Sequence, residues 1–392
     1  EIYTLSLHDA LPIFDSSLDL SGFDTRNVEN MSLMFSNCLN LESLDVSKFN
    51  VENVRDFSGM FRYCLKLKTI DVKSFKTKSA KNMAEMFLSC KEITHLELNN
   101  FITKTVTDMS KMFQDCENLE YLDLSSFNTE EVLDMNRMFE SNQALAKLEL
   151  GDDFKTSNVK NMQQMFHYCR SLSSLDLRSF NTQSVTNMAY MFEGCEALKR
   201  LDITSFSTDK VTSMNSLFHG CSSLTSLDIK HFNTQNVKLM GGMFQDCKSL
   251  KELDTSNLNT KNVIDMNCMF ENCYLLENIN VYNFDTSNVI DMSYMFKDCE
   301  RLTSIDVSKF DTSKVVYMSS MFQNLKLINK FDLKNFNTKE VTNMMHMFDG
   351  CSSLTSLEIS SFQTSKVYSF AGMFNNCNLL TSLNLENFVT RI

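Results

Sequence analysis

An acidic side chain recurs at one position through most of the chain, and it is the most regular group of residues that could do chemistry. Each carboxylate lies between two apolar residues, as Asp45 lies between Leu44 and Val46. Because side chains alternate along a strand, the acidic residue is expected to point away from the buried face. Asp19 begins the row and Asn280 and Asn384 interrupt it; the acidic members that we take as candidate binding residues are Asp45, Asp71, Glu97, Asp123, Glu149, Asp176, Asp202, Asp228, Asp254, Asp306, Asp332 and Glu358.

Three interpretations of this acidic row remain open from the sequence. Carboxylates about 4.8 Å apart on parallel strands repel by roughly 0.9 kcal/mol per pair even at the dielectric constant of water, so something must offset the repulsion. The row could be neutralised by ion pairs, it could face a ligand, or it could bind cations such as Ca²⁺. The basic residues at neighbouring outward positions are Lys73, Lys147, Arg178, Arg200, Lys230, Lys330 and Lys334.

Cysteine is the second group that could do chemistry, since the chain has 13. Twelve occupy one recurring position and Cys268 does not. The sequence has no Cys-x-x-Cys pair, and zinc sites need closely spaced ligands. Identical side chains stacked in a ladder point the same way, which disfavours disulfides between neighbours. We therefore expect the twelve to be buried, unpaired thiols: Cys38, Cys64, Cys90, Cys116, Cys169, Cys195, Cys221, Cys247, Cys273, Cys299, Cys351 and Cys377.

The remaining composition argues against catalysis and against several kinds of partner. No Ser-His-Asp constellation or glycine-rich phosphate loop can be assembled, so we expect no enzyme activity, no cofactor and no dedicated metal site apart from the cation binding left open for the acidic row. The net charge of −12 opposes binding to nucleic acid or to an anionic membrane. No apolar run approaches the roughly 18 residues of a membrane helix, so no membrane insertion is expected in this segment. The expected partner is a protein or other macromolecule, bound by a monomer.

The elements that position these residues follow from an internal repeat. The pair Met-Phe, first at Met34-Phe35 and last at Met373-Phe374, recurs every 26 residues in 14 units, with Leu217 as a variant and one residue inserted near Gly151. Each unit contains an L-x-x-L-x-L segment that predicts a short strand. A single unit cannot bury its apolar face, so neighbouring units must stack. The sequence thus predicts an α/β repeat solenoid, leucine-rich-repeat-like, with a parallel β-sheet on one face.

The opposite face is expected to carry short α or 3₁₀ helices. Val54, Phe57, Met60 and Cys64 are spaced three to four residues apart, which lines one side of a helix. A polar pair such as Asn181-Thr182 precedes the segment and could cap its first turn. Glycine often stands just before the cysteine, as in Gly194, Gly220 and Gly350, where a left-handed residue is easily accommodated.

The repeat resembles the 26-residue repeat of the BspA-like leucine-rich-repeat surface proteins. The stretch from Phe180 to Cys195, with Leu198 through Phe206, matches the pattern F-x-T-x-x-V-x-N-M-x-x-M-F-x-x-C-x-x-L-x-x-L-D-L-S-x-F. The resemblance covers about residues 16–390 and implies a non-enzymatic adhesion or host-interaction role at a bacterial cell surface. The alternative function is an intracellular protein-interaction scaffold of a protist or parasitic bacterium, where the cysteines would stay reduced.

The first residues do not fit the repeat. Projected back by one period, most buried positions fall on unsuitable residues such as His8, Asp9 and Pro12. Residues 1–13 resemble the translated read-through of a sequencing adaptor, so we predict that 1–14 is a non-native or disordered leader. Residues 15–392 are then expected to form one solenoid of about 14 repeats, a fragment of a longer protein. An export signal or a cell-wall anchor in the complete gene would decide between the two functions.

Overall fold

The computed structural model describes Leu18, Leu20 and residues 22–389, and the predicted leader at 1–14 lies outside this range. Contacts divide the chain into two compact units. The first contains the described residues through Val185 together with Met191–Leu198, and the second contains Thr186–Tyr190 and the described residues from Lys199 onward. No helix of the described residues is long and apolar enough to cross a membrane.

Short parallel strands form the sheet side of the repeats, as predicted. In the first unit β1 (Ser43–Leu44) pairs with β2 (Thr69–Ile70), and β3 (His95–Leu96), β4 (Tyr121–Leu124) and β5 (Lys147–Leu150) form a three-stranded sheet. In the second unit β6 (Glu252–Leu253) pairs with β7 (Asn278–Ile279). Residues one repeat apart are partners throughout these strands, so Asp123 lies beside Glu149.

The predicted helices on the opposite face are wrong, because the described residues contain no helix. The Met-Phe segment is instead a series of turns whose amides alternate between two kinds of acceptor. The amides of Met34 and Ser36 close turns onto the third residue before them, whereas that of Phe35 donates to the carbonyl of Met60 in the next repeat at 2.8 Å. A helix needs every amide for its own ladder. Alternate amides join repeats here. The spacing of three to four residues between apolar side chains therefore comes from successive turns.

Left-handed residues make this alternation possible. Two occur in each repeat, immediately before the Met-Phe pair and immediately before the cysteine position, as at Leu33 (φ 58°) and Asn37 (φ 63°). The left-handed region favours glycine, asparagine and aspartate. The predicted left-handed glycines before cysteine are confirmed, with φ values of 71° at Gly194 and Gly220 and 74° at Gly350. They end turns and not helices.

The core consists of ladders of identical side chains. The Met-Phe phenylalanines of the inner repeats are fully buried, and successive rings stack, as Phe87 and Phe113 do with centroids 5.8 Å apart. A buried threonine also joins neighbouring repeats: the Thr156 hydroxyl donates to the Asn181 carbonyl and accepts from the Asn181 amide, each at 2.9 Å. The prediction that the polar pair at Asn181-Thr182 caps a helix is therefore wrong, since this threonine position bridges repeats.

Candidate functional site

The acidic row lies on the outward side of the strand face, and its aspartates form turns at the strand ends. The carboxylate of each accepts the backbone amide two residues later, at 2.9 Å from Ser47 to Asp45 and 3.0 Å from Lys73 to Asp71. The same bond is made to Asp123, Asp176, Asp202, Asp228, Asp254, Asp306, Asp332 and, by its longer side chain, Glu358. At these ten positions, but not at Glu97 or Glu149, one carboxylate oxygen thus has a structural role.

The charge is not needed for this turn. Asn280 and Asn384, which interrupt the row, accept the same bond through their amide oxygens, at 3.2 Å from Tyr282 and 3.0 Å from Glu386. An aspartate and an asparagine therefore serve the backbone equally. The turn therefore does not require the negative charge that most members of the row place on the strand face.

Some members of the row are neutralised by neighbouring cations. Lys73 lies 2.9 Å from Glu97, Arg178 lies 2.6 Å from Asp176, and Lys334 lies 3.0 Å from Asp332. Hydrogen bonding from Lys73 and from Arg178 holds the pKa values of Glu97 and Asp176 below their usual values. The ion-pairing interpretation thus accounts for part of the row.

Other members have no cation against them in the described structure. The pKa of Asp45 is lowered by hydrogen bonds from the Ser47 hydroxyl and amide, with Lys48 contributing least. Among the described residues, no group of three or more histidine, cysteine or acidic side chains is arranged to hold a metal ion. The described residues therefore present separate carboxylates, most of which are oriented by their own turn.

A groove crosses β1, β2 and β3 and brings three members of the row together. Its volume is about 540 Å³, and Asp45, Asp71 and Glu97 line it. The other lining residues are Ser43, Leu44, Ser47, Lys68, Thr69, Ile70, Val72, Lys73, Thr94 and His95. Carboxylates, hydroxyls and ammonium groups thus surround a narrow apolar floor, a composition suited to hydrogen bonding with a polar polymer.

An aromatic cluster borders this groove, and the sequence analysis missed it. The His95 and Tyr121 rings stack with centroids 6.4 Å apart, and the Lys147 ammonium group lies 5.3 Å from the Tyr121 centroid. The Tyr121 hydroxyl donates to Glu149 at 2.9 Å, which raises the pKa of Tyr121. The cluster could have been indicated by the sequence, because His95, Tyr121 and Lys147 lie one repeat apart. His95 also lines the groove.

Two smaller depressions lie over the same row. One, of about 310 Å³ in the second unit, is lined by Glu252, Asp254, Asn278, Asn280 and Ser304 among others. The other, of about 220 Å³ in the first unit, lies at the single-residue insertion and includes Asp176. A side chain at Gly151 would place its Cβ 2.2 Å from the Ser125 carbonyl oxygen, so the inserted segment approaches its neighbour closely only because glycine is present.

The cysteines lie away from the strand face. All thirteen are free thiols, and of the twelve at the recurring position all are buried except the half-buried Cys377. The thiols donate to phenylalanine carbonyls of the preceding repeat, as Cys64 does to Phe35 at 3.2 Å. Burial raises the pKa of Cys116 and Cys195 to about 12. These thiols are therefore structural donors with little thiolate character.

A buried charged cluster lies on the turn side of the first unit, and the sequence analysis did not predict it. The His167 imidazole lies between two carboxylates, with Nδ1 3.0 Å from Glu140 and Nε2 3.6 Å from Glu193, and all three side chains are nearly buried. Burial opposes the charged imidazole, but the hydrogen bonds to the two carboxylates outweigh it and raise the His167 pKa to about 9. In the sequence, Glu140, His167 and Glu193 share one repeat position, two residues after the methionine of the Met-Phe pair, and this alignment could have indicated the cluster.

Comparison with solved structures defines the class of fold. A leucine-rich repeat protein from Bacteroides ovatus ATCC 8483 is 16% identical, with 89% of this chain and 80% of that chain covered and a TM-score of 0.52. A leucine rich cell surface protein from Faecalibacterium prausnitzii A2-165 is 17% identical, with 90% and 86% covered and a TM-score of 0.47. The fold shared with the first of these is a leucine-rich-repeat solenoid with parallel strands.

The family follows from the sequence. The model described as "Mycoplasma protein of unknown function, DUF285" matches residues 9–101, 90–201, 171–282, 196–305, 251–332 and 299–391. The chain belongs to the DUF285 family. No curated protein matches it. Neither the family description nor the name of the first of these structures indicates an enzymatic family.

Proposed function

We propose that this chain is a non-enzymatic adhesion module of a BspA-like bacterial surface protein, and that it binds host or neighbouring-cell macromolecules on its strand face. The observation that carries the proposal is the position of the grooves. Three separate depressions, in both units, lie over the acidic row and contain Asp45, Asp176 and Asp254. The phenylalanine, threonine and cysteine ladders that join repeats are elsewhere, so this face is available for a partner.

The chemistry of the face favours a polar, extended partner with positive charge. Most carboxylates of the row, at one-repeat spacing, are oriented by a turn, as Asp45 is by the Ser47 amide. Groups spread over many repeats allow many weak contacts to add along a polymer. Electrostatic complementarity would also speed the encounter with a basic partner.

The cysteines are compatible with a place outside the cell. A free thiol at a cell surface is exposed to oxidants, and its reactivity depends on accessibility and on thiolate content. Burial limits the accessibility of these thiols, and a pKa of about 12 limits the thiolate content of Cys116. Export therefore needs no disulfide in this chain.

Adhesion assays with beads carrying the purified chain test the proposal on cultured epithelial cells and on immobilised matrix proteins. The binding variant combines Asp45→Asn, Asp71→Asn and Glu97→Gln in the large groove. A matched control combines Glu29→Gln, Glu52→Gln and Glu117→Gln, which removes three charges from outside the groove lining. We expect saturable binding by the wild type and the control, and at least about tenfold weaker binding by the groove variant. Equal binding by all three, or no saturable binding, would reject the strand face as an adhesive surface.

A further inference from the structure

A glycine lies between two asparagines at one repeat position of the second unit. The position is the residue after the first methionine of Met-x-x-Met-Phe, and in three successive repeats it holds Asn215, Gly241 and Asn267. Backbone hydrogen bonds keep these repeats in register: the Ser216 amide donates to the Gly241 carbonyl at 2.8 Å, and the Gly242 amide donates to the Asn267 carbonyl at 2.7 Å. Gly241 is therefore flanked by two amide side chains and contributes none of its own.

Three side-chain oxygens converge beside the Cα atom of Gly241. The position that a Cβ atom would take there has three nearest heavy atoms outside the adjoining residues, and all three are oxygens. They are Asp265 Oδ2 at 3.0 Å, Asn267 Oδ1 at 3.0 Å and Asn215 Oδ1 at 3.1 Å. The φ angle of Gly241 lies outside the left-handed region. What this glycine supplies is therefore the lack of a side chain. We call these four residues the oxygen site.

The oxygens of this site lack a positive partner from the chain. Asn215 Oδ1 is buried, and none of the described residues donates a hydrogen bond to it. Asp265 uses its other oxygen, Oδ1, to accept the backbone amide of Asn267 at 3.0 Å. Asp291 is the register partner of Asp265 in the next repeat. Burial raises the pKa of Asp265, and the Asp291 charge contributes to the shift. Oxygens that carry full or partial negative charge repel one another, so a cation among them would stabilise the arrangement.

We propose that Asn215, Asp265 and Asn267 bind a Ca²⁺ ion beside Gly241. Ca²⁺ accepts carboxylate and amide oxygens in irregular geometry, whereas Mg²⁺ demands a near-ideal octahedron and Zn²⁺ prefers nitrogen and sulfur. Three protein ligands leave further coordination positions to water. We therefore expect weak binding, with a Kd of about 0.1–1 mM, the range of extracellular Ca²⁺-binding modules.

The sequence analysis predicted no dedicated metal site, because two asparagines that lie two repeats apart are not a recognisable ligand pattern. The oxygen site belongs to the Met-Phe segments of the second unit and not to the strand face. Ca²⁺ binding there does not depend on the proposed adhesive role.

A similar pair in the first unit has a different arrangement. Asp134 and Asn136 have the same spacing as the carboxylate and the second asparagine of the oxygen site, but the Asn136 side-chain amide donates to Asp134 at 2.7 Å. Ser110, and not a glycine, lies one repeat before Asn136. Asp134 is therefore a matched control for Asp265.

Calorimetric titration of the whole chain with calcium chloride tests the proposal, after EDTA treatment and desalting into sodium chloride. We expect one ion per chain with a Kd of about 0.1–1 mM. Ca²⁺ should also raise the melting temperature, because the ion binds the folded chain only. Magnesium chloride should bind at least about tenfold more weakly. Equal or tighter binding of Mg²⁺ would reject Ca²⁺ as the ion.

Two variants locate the ion. Gly241→Ala should weaken Ca²⁺ binding at least about tenfold, because its Cβ atom takes the space among the oxygens. The fold accepts alanine at this position, since Ala189 occupies it in another repeat and is buried. Asp265→Asn removes the charge and keeps the turn, because Asn82 accepts the same amide bond at 2.9 Å. It should also weaken binding at least about tenfold.

The control is Asp134→Asn, which should bind Ca²⁺ as the wild type does. Unchanged circular dichroism would show that each variant is folded. A wild type that takes up no Ca²⁺ at about 10 mM would overturn the proposal and would indicate that the Asn215 amide group donates to Asp265. Equal binding by the wild type and Gly241→Ala would also overturn it, because the ion would then be bound elsewhere, as on the acidic row. So would a loss of binding in Asp134→Asn as large as that in Asp265→Asn.

Discussion

The strand side and the turn side of each repeat are built from the same 26 residues but differ in what their side chains do. On the turn side, alternate amides, the buried threonine and the cysteine thiol all bond to neighbouring repeats, as at Phe35, Thr156 and Cys64. On the strand side, the named strands are only two to four residues long, and the outward side chains mostly bond within their own turn. The difference indicates that recurrence has two causes: cohesion between repeats on one side and local turn formation on the other.

The largest expected effect comes from breaking the phenylalanine ladder on the turn side. Phe113 is fully buried between Phe87 and Phe139, with ring centroids 5.8 and 5.9 Å away. Phe113→Ala should lower the free energy of unfolding by about 3–5 kcal/mol, because it leaves a cavity in a close-packed stack. Guanidinium unfolding followed by circular dichroism measures it. Tyr121→Ala on the strand side is the control, with an expected loss below about 1 kcal/mol; similar losses would remove the distinction between the two sides.

The pH dependence of stability should report on the buried His167 cluster. The folded-state pKa of about 9 lies above the ordinary 6.5, so protonation stabilises the fold fully below pH 6.5, and this contribution is lost as the pH rises to about 9. At about 1.4 kcal/mol per pKa unit, the loss is as much as about 3 kcal/mol. Unfolding measured at several pH values should show this slope in the wild type and lose most of it in His167→Gln. An identical slope in both proteins would assign the effect to another group.

A smaller effect is expected from the threonine ladder. The Thr103 hydroxyl donates to the Asn128 carbonyl and accepts from the Asn128 amide, each at 2.9 Å. Thr103→Val keeps the shape and removes both bonds, so it should cost about 1–2 kcal/mol. The chain offers a matched control, since Val51 occupies this position in another repeat and is buried. Val51→Thr should leave stability unchanged or raise it; a loss as large as that of Thr103→Val would contradict the bridging role.

The features that could be predicted from the sequence are those fixed by contacts between repeats. The stacked repeat, the parallel strands, the outward acidic row and the buried cysteines could be predicted, because a period of 26 residues forces equivalent side chains into register. The predicted helices were wrong because apolar residues spaced three to four positions apart fit successive turns as well as a helix. What distinguishes the two is a pair of left-handed residues four positions apart in each repeat, and at Leu33 or Glu85 the residue type does not reveal it.

The groove and the buried cluster could be predicted only in part. The alignment of His95 with Tyr121, and of Glu140 with His167, was present in the repeat register. The direction and burial of those side chains were not, because they depend on local turn geometry and on the residues of the neighbouring repeats. The acidic row shows the same limit, since its ion pairs form where a lysine or arginine happens to reach, as Lys73 reaches Glu97.

The most direct test of the difference between the two sides is the stability of a triple variant of the acidic row, Asp228→Asn, Asp254→Asn and Asp306→Asn. These carboxylates accept the amides of Lys230, Ser256 and Ser308 at 3.0, 3.1 and 3.0 Å. Asn280, between them in the row, already makes the same bond without a charge. Guanidinium unfolding of the triple variant should therefore give a midpoint equal to or slightly above that of the wild type, since the turns remain and mutual repulsion falls. A loss of about 2 kcal/mol or more would show that the charges hold the fold and would contradict the account.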